Sequence, residues 1–404
     1  MDMEKKYLVV NRGSASEKYA IYTKEKCLGF LHIEKAEKDN CDYVSTLYVG
    51  DLKEEKCVTK KEFENSLDYA LNIFKEKGII VGESVKEAKK EIVGIGIRIV
   101  APGKHFQDDK VIDSVYEKEI KKVIHDAPLH LLPTYEMILL LKKVFKNIPI
   151  VGISDSDFHD TIPDKAKYYG ISFADTQKYN IQKYGYHGIS VESILNKIKD
   201  GGEEIPARLI ICHIGSGVSV TAVKDGKSVE NSMGYTPLEG VMMATRAGDI
   251  DSGAVALLVD KLWLNAKRLK GYLNSKCGLF GVSGKSSDVR DLITLEKDGD
   301  VQAKLALDMY VYKIQKYIGA YYTVLGGLDT LIFTATVGER SFIMRERICQ
   351  GLEVLGVKIN TEVNNKSEGV DANISHFDSK VKVIVKKTDE MGQIARDTIT
   401  TLGF

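Results

Sequence analysis

Two short turns in this chain have the residue types that hold phosphate. Leu209 to Cys212 reads as a buried strand that turns at Gly215-Ser216-Gly217. It returns as an alternating strand through Val218, Val220 and Ala222 to the Asp225-Gly226 turn. A glycine–serine turn between strands points successive backbone N–H groups and hydroxyls into one small space, which is anion-binding geometry. Tyr7 to Val10 is likewise apolar, Asn11-Arg12-Gly13-Ser14-Ala15-Ser16 turns, and Lys18 to Tyr22 returns. The two turns lie about half of the 404-residue chain apart. The repetition predicts one phosphate-binding hairpin in each half, facing across a cleft.

Charged and polar residues gather near these turns. Arg246, Asp249 and Asp251 occupy a glycine-interrupted loop, and a planar guanidinium beside such a turn can grip phosphate with two bonds at once. Arg98 is the one charge in the apolar run IVGIGIRIV. Buried and unpaired it would be costly, so it needs a carboxylate partner. A structural salt bridge would supply one, and so would a substrate. His187 in YGYHG and His213 in CHIGSG lie beside glycines, which let a ligand approach closely. Asn11, Ser14, Ser16 and Lys18 share the first turn, where Asn11 is either an ordinary turn residue or a donor to a ligand.

The elements that must position these residues alternate between strand and helix. Lys60 to Lys77 has helical spacing, and Ile92 to Val100 reads as a buried strand. Ala127-Pro128-Leu129-His130 reads as a loop before a helix near Thr134 to Phe145 and a strand Ile148 to Ile153. Val301 to Leu325 is the longest helical pattern, with one apolar side for the core. A strand Thr330 to Thr334, a helix from about Glu339 to Leu355, a strand Val381 to Lys386 and a last helix opening at Thr388-Asp389-Glu390 follow. Such alternation defines the α/β class. The chain has no GxxxxGK[ST], so it is not a P-loop protein.

Composition narrows the function classes. The length suggests two or three domains. Lys plus Arg and Asp plus Glu both number 57, which gives no general pull toward nucleic acid or membrane. The six cysteines are scattered without CxxC, so neither a disulfide framework nor a zinc site is expected, and a reducing cytoplasm fits. The opening MDMEKKYLVV has too short an apolar run for a signal peptide. No segment approaches the ~20 apolar residues of a membrane span.

Beyond these readings the chain resembles the acetate kinases. VVNRGSASEKY, SDSDFHDTIP, YGYHGIS, HIGSGVSVTAV, SMGYTPLEGVMMATRAGDID, GVSGKSSDVRD, FTATVGER and TDEMGQIARDT match that family's motifs in its order, from residue 7 to residue 398. The resemblance implies a two-domain α/β fold of the sugar-kinase/Hsp70/actin type, a duplicated ribonuclease H-like architecture with a central cleft. Residues 1–154 plus about 386–404 would form one domain and residues 155–385 the other. The implied reaction is reversible in-line phosphoryl transfer between ATP and acetate, giving acetyl phosphate and ADP, with Mg2+ and in a homodimer.

The resemblance also implies roles. Asn11, Arg98, Asp155, His187 and Arg246 would be catalytic, with Arg98 on the substrate carboxylate and Arg246 on phosphate. Val100, Leu129, Tyr186 and Pro237 would wall a small apolar pocket for a methyl or ethyl group. Ser14, Ser16, Lys18, His213, Gly215, Ser216 and Gly217 would serve phosphate. Asp288, Val289, Arg290, Thr336, Val337, Gly338 and Glu339 would serve the nucleotide. Glu390 with Asp155 would hold magnesium. A carboxylate substrate is already ionised at neutral pH, so Asp155 orients the arginines and metal-bound water and abstracts no proton.

The chain departs from the family pattern at several points. Ile97 and Ala101-Pro102 replace two histidines and a glycine, Leu131-Leu132 stands where an Asn is usual, and Val191 replaces a histidine. Ser216 replaces an Asn, Tyr186 a Phe, Thr336 a Gly and Arg340 an Asn. A pyrophosphate-linked acetate kinase and a propionate kinase are therefore the alternative enzymes. An inactive nucleotide-binding sensor on the same fold is the alternative of another class.

Overall fold

A computed structural model describes residues 4–13, 16–36, 41–82 and 85–404, the side chains of 85, 88 and 128–130 aside. The chain folds as two compact units, Met1–Asp157 with Asp389–Phe404, and Phe158–Thr388. Among the described residues no helix is long and apolar enough to cross a membrane.

The first unit carries β1 (Lys6–Arg12), β2 (Ser16–Tyr22), β3 (Cys27–Lys35), β4 (Tyr43–Val49), β5 (Leu52–Val58), β6 (Ile92–Ile99), β7 (Lys110–Val111) and β8 (Ile150–Ser154). They form one sheet in the order β5-β4-β3-β2-β1-β6-β8-β7. β1 runs antiparallel to β2 and parallel to β6, which runs parallel to β8. These central strands are covered on both faces, so Tyr7 to Val10 form a continuous buried run. The Glu390–Thr401 helix lies on β6 so closely that a Cβ on Gly96 would sit 2.0 Å from Thr398 Oγ1. That approach is why the arginine strand is interrupted by glycine.

The second unit carries β9 (Arg208–Ile214), β10 (Val218–Lys224), β11 (Lys227–Asn231), β12 (Thr330–Thr334), β13 (Ala372–Asn373) and β14 (Lys382–Val385), ordered β11-β10-β9-β12-β14-β13. β9 is antiparallel to β10 and parallel to β12, which is parallel to β14. The arrangement β3-β2-β1-β6-β8 thus recurs as β11-β10-β9-β12-β14, each copy flanked by a short antiparallel strand, β7 or β13. Gly13 follows β1 on the way to β2, and Gly215–Gly217 lie between β9 and β10, the corresponding pair of the second copy.

Several local expectations give way to tertiary context. β10 is buried on both faces from Val218 to Val223, where alternation would leave one face wet. The segment read as a loop at Pro128 is the first turn of the Pro128–Val144 helix, in which proline at the opening position costs no hydrogen bond. The helix expected from Glu339 to Leu355 is two, Ala335–Arg340 and Phe342–Cys349, with Ser341 capping the second through the Met344 N–H. The cysteine spacing argued against a disulfide framework, yet Cys41 and Cys57 are bridged, their Cα atoms 5.5 Å apart. Pairing of β4 with β5 brings them together, and no local spacing announces a contact made by strand register.

Candidate active site

In the first unit the hairpin, β6, β8 and the C-terminal helix converge on one charged cluster. Arg98, near the end of β6, meets Asp155 just beyond β8 in a forked pair, Nε to Oδ1 at 3.1 Å and Nη2 to Oδ2 at 2.9 Å. The Asp155 N–H donates to Ile99 O at 2.9 Å, which locks the carboxylate beside the strand. Burial opposes the charge on Arg98; Asp155 and then Glu390 more than offset it, so its pKa lies above the usual arginine value. Asn11, next to last in β1, is almost fully buried and donates Nδ2 to Glu390 Oε2 at 3.1 Å. Lys18, directly opposite Asn11 in the hairpin register, places Nζ 4.0 Å from the same oxygen. The helix that carries Glu390 is capped by Asp389, which accepts from the Gly392 N–H at 3.0 Å. Ser16 opens β2 and its carbonyl accepts from Gly13 N–H at 2.8 Å. Ser14 and the Leu129 side chain lie outside the described residues; Val100 is half-buried just after β6.

In the second unit His187, His213 and Arg246 gather around the Gly215–Gly217 turn. The turn is closed by Gly215 N–H donating to Gly217 O at 3.0 Å, so this amide is not offered to an anion as the bare sequence suggests. Side chains supply the polar surface in its place. A Cβ on Gly217 would lie 3.2 Å from His187 Nε2 and 3.5 Å from Arg246 Nη1, so glycine here serves close approach. Gly215 faces Ala335 and His213 Nε2, both within 4 Å of where its Cβ would be. The imidazoles of His187 and His213 stack with centroids 3.9 Å apart. Arg246 donates Nη1 to Pro237 O at 3.2 Å, and Tyr186 donates its hydroxyl to Tyr235 O at 2.7 Å. Tyr186 is fully buried, so its extra hydroxyl is taken up by backbone. Asp249 and Asp251 belong to the scaffold: Asp249 accepts from Gly240 N–H and Tyr317 OH, and Asp251 caps the Ser252–Lys261 helix.

Two further sets lie in the same unit. Asp288 caps the Val289–Lys297 helix and is paired with Arg290, whose hydrogen bonds hold its carboxyl below the usual range; Val289 is buried beneath. At the β12–helix junction Ala335 takes the left-handed conformation, φ 64°, while Thr336 is helical and exposed and Val337 half-buried. The backbone position that demands left-handed freedom is thus 335, one residue before the Thr that replaces Gly. Glu339 is turned inward, accepting from the Ala335 and Thr388 N–H groups at 2.9 Å each.

Several supporting residues carry no local signature. His159 bonds Ser228 Oγ at 2.8 Å and Tyr186 O at 3.0 Å, and burial lowers its pKa to about 4, so it is a neutral strut beneath the Tyr186–His187 step. Arg345 is fully buried and donates to the carbonyls of Gly338 and Glu339 at 2.9 Å each; burial lowers its pKa to about 10. Ser219 and Ser190 hold the histidine rings, His187 Nδ1 at 3.0 Å and His213 Nδ1 at 2.8 Å.

The duplicated sheet is the fold of the acetate and propionate kinases, of the sugar-kinase/Hsp70/actin type. The solved acetate kinase of Porphyromonas gingivalis superposes with a TM-score of 0.83 at 33% identity, covering 98% of this chain and 100% of that one. A propionate kinase from Francisella tularensis superposes at 0.84 with 31% identity, covering 98% and 99%. The acetate kinase of Bacteroides thetaiotaomicron is 38% identical over 98% of this chain and 99% of its own. Residues 6–396 match the profile of the Acetokinase family. The chain belongs to that family, and it is a phosphotransferase whose acceptor is a carboxyl group.

Proposed function

We propose that the protein reversibly transfers the γ-phosphoryl group of ATP to acetate, giving acetyl phosphate and ADP, with Mg2+. The observation that carries the phosphoryl-transfer reading is the convergence of His187 and Arg246 on Gly217. Phosphoryl transfer asks for positioning and charge stabilisation, with little covalent help from the protein. Arg246 stabilises the equatorial phosphoryl oxygens and His187 donates a hydrogen bond to them, with His213 in support. Asn11 donates from the first hairpin, and Arg98 orients the acetate carboxylate, itself held by Asp155. Glu390 and Asp155 are hard oxygen donors suited to an ion that keeps several waters. Magnesium there would neutralise phosphate charge. Asp288, Val289, Arg290 and residues 335–339 serve the adenosine. ATP as donor places the reaction in the cytoplasm.

ATP is favoured over pyrophosphate because Thr336 is helical and exposed, so no glycine-only backbone is violated there. A hydroxamate assay with acetate, ATP and Mg2+ tests the forward reaction. In reverse, acetyl phosphate should be consumed with ADP; turnover with inorganic phosphate alone would refute the ATP reading. Acetate and propionate should both be accepted, and butyrate and longer acids discriminated against, because each misplaced methylene in a tight pocket costs about 1–3 kcal/mol. A kcat/KM highest for propionate would favour the activity named for the Francisella relative.

A homodimer is part of this reading. The Ser252–Lys261 helix, SGAVALLVDK, is largely apolar yet buries no residue; Leu257 on it and Leu262 and Trp263 just after it are exposed. An amphipathic or apolar helix stays folded in water by covering its apolar face. A second copy of the chain is the expected cover. Leu257→Asp should convert the protein from dimer to monomer in light scattering; an unchanged mass would exclude this face.

A further inference from the structure

We propose that Ser219 is a positioning residue that fixes His187 as an Nε2–H donor toward the Gly215–Gly217 turn. The proposal rests on the reading of His187 as a donor to the transferring phosphoryl group and supplies the device that makes it one. Ser219 lies on β10, paired in register with His213, and is fully buried. Its Oγ is 3.0 Å from His187 Nδ1. Among the described residues, that ring nitrogen is the one hydrogen-bond partner of the Ser219 hydroxyl. A buried hydroxyl proton needs an acceptor, and Nδ1 is the acceptor in reach. Ser219 therefore donates, Nδ1 holds the lone pair, and the proton of the neutral ring sits on Nε2. The opposite tautomer would make Ser219 the acceptor and leave its own proton stranded in the core.

The ring cannot turn to escape this assignment. It stacks on His213 at 3.9 Å and 23°. Its backbone is held left-handed, φ 63°, at the start of the Gly188–Asp200 helix. His159 and Asn231 Nδ2 both donate to Tyr186 O, at 3.0 Å and 3.2 Å, from beneath. With Nδ1 occupied, the Nε2 edge is the one against Gly217 and beside Arg246. An imidazole N–H and a guanidinium thus address the same turn. His213 has a parallel arrangement, Nδ1 on the buried Ser190.

The test is nitrogen NMR of 15N-histidine-labelled full-length protein, with the His187 signals assigned by their loss in His187→Asn. The wild type should have protonated-type Nε2 and unprotonated-type Nδ1. In Ser219→Ala the signals should move toward exchange between tautomers, and kcat should fall about 10- to 100-fold, no more than the loss of one such donor costs. KM for both substrates should change by less than about twofold, since ground-state binding is untouched. Ser219→Thr, which keeps the hydroxyl, should restore the wild-type pattern. A protonated Nδ1 in the wild type would overturn the proposal, and so would a Ser219→Ala spectrum and kcat like those of wild type. If instead His187→Asn retained full kcat, the catalytic reading of His187 would fail while the spectrum still decided the tautomer.

Discussion

Arg246→Ala is expected to lower kcat by about 10²- to 10³-fold while leaving the fold intact. The magnitude is that of removing one preorganised donor from the place where charge develops in the transition state. Arg246 is half-buried, and its Nη1 lies 3.2 Å from Pro237 O and 3.6 Å from Met243 Sδ. Its head group lies beside Gly217, where the transferring phosphoryl group is proposed to sit. The loss should fall on kcat more than on KM, because the interaction strengthens as the phosphoryl group flattens. Arg246→Lys should recover only part of the rate, since an ammonium cannot reproduce a two-point grip on phosphate. Steady-state kinetics with thermal melts on both variants decide. A near wild-type kcat in Arg246→Ala would remove this residue from the site.

Asp155→Ala should damage both activity and stability, which sets it apart from Arg246→Ala. Asp155 is 1% exposed and takes both ends of the Arg98 fork. Removing one partner of a buried pair leaves an uncompensated cation and typically costs about 3–5 kcal/mol. Glu390 also supports the Arg98 charge, so the loss should fall toward the lower end. With Arg98 in its proposed role on the acetate carboxylate, its displacement should raise acetate KM as well as lower kcat. Asp155→Asn keeps the shape and one acceptor oxygen but removes the charge. It should retain more stability than Ala while regaining little activity. Denaturant melts and acetate titrations of the two variants measure these effects separately. Equal stability of wild type and Asp155→Ala would mean that the pair does not hold Arg98.

How much of this was legible beforehand follows from whether the information was local. The paired turns at Gly13 and Gly215, the apolar runs beside them and the helix Val301–Leu325 rest on residue patterns a few positions long, and such patterns are written in the chain. The need of Arg98 for a carboxylate was legible too, because the cost of a buried cation does not depend on the fold. Which carboxylate answers it was not: Asp155 arrives through the parallel pairing of β6 with β8. Nothing local explains the glycines at 94 and 96; the C-terminal segment does, with Leu402 and Thr398 lying where their Cβ atoms would be. The family motifs around His187 and His213 pointed to two histidines. Their stacking and the two buried serines behind them exist only once β10 and the Gly188–Asp200 helix meet β9. Local periodicity determined the elements, and pairing of distant strands decided which side chains share a site, because hydrogen bonds and ion pairs act over a few ångströms of space and not along the sequence.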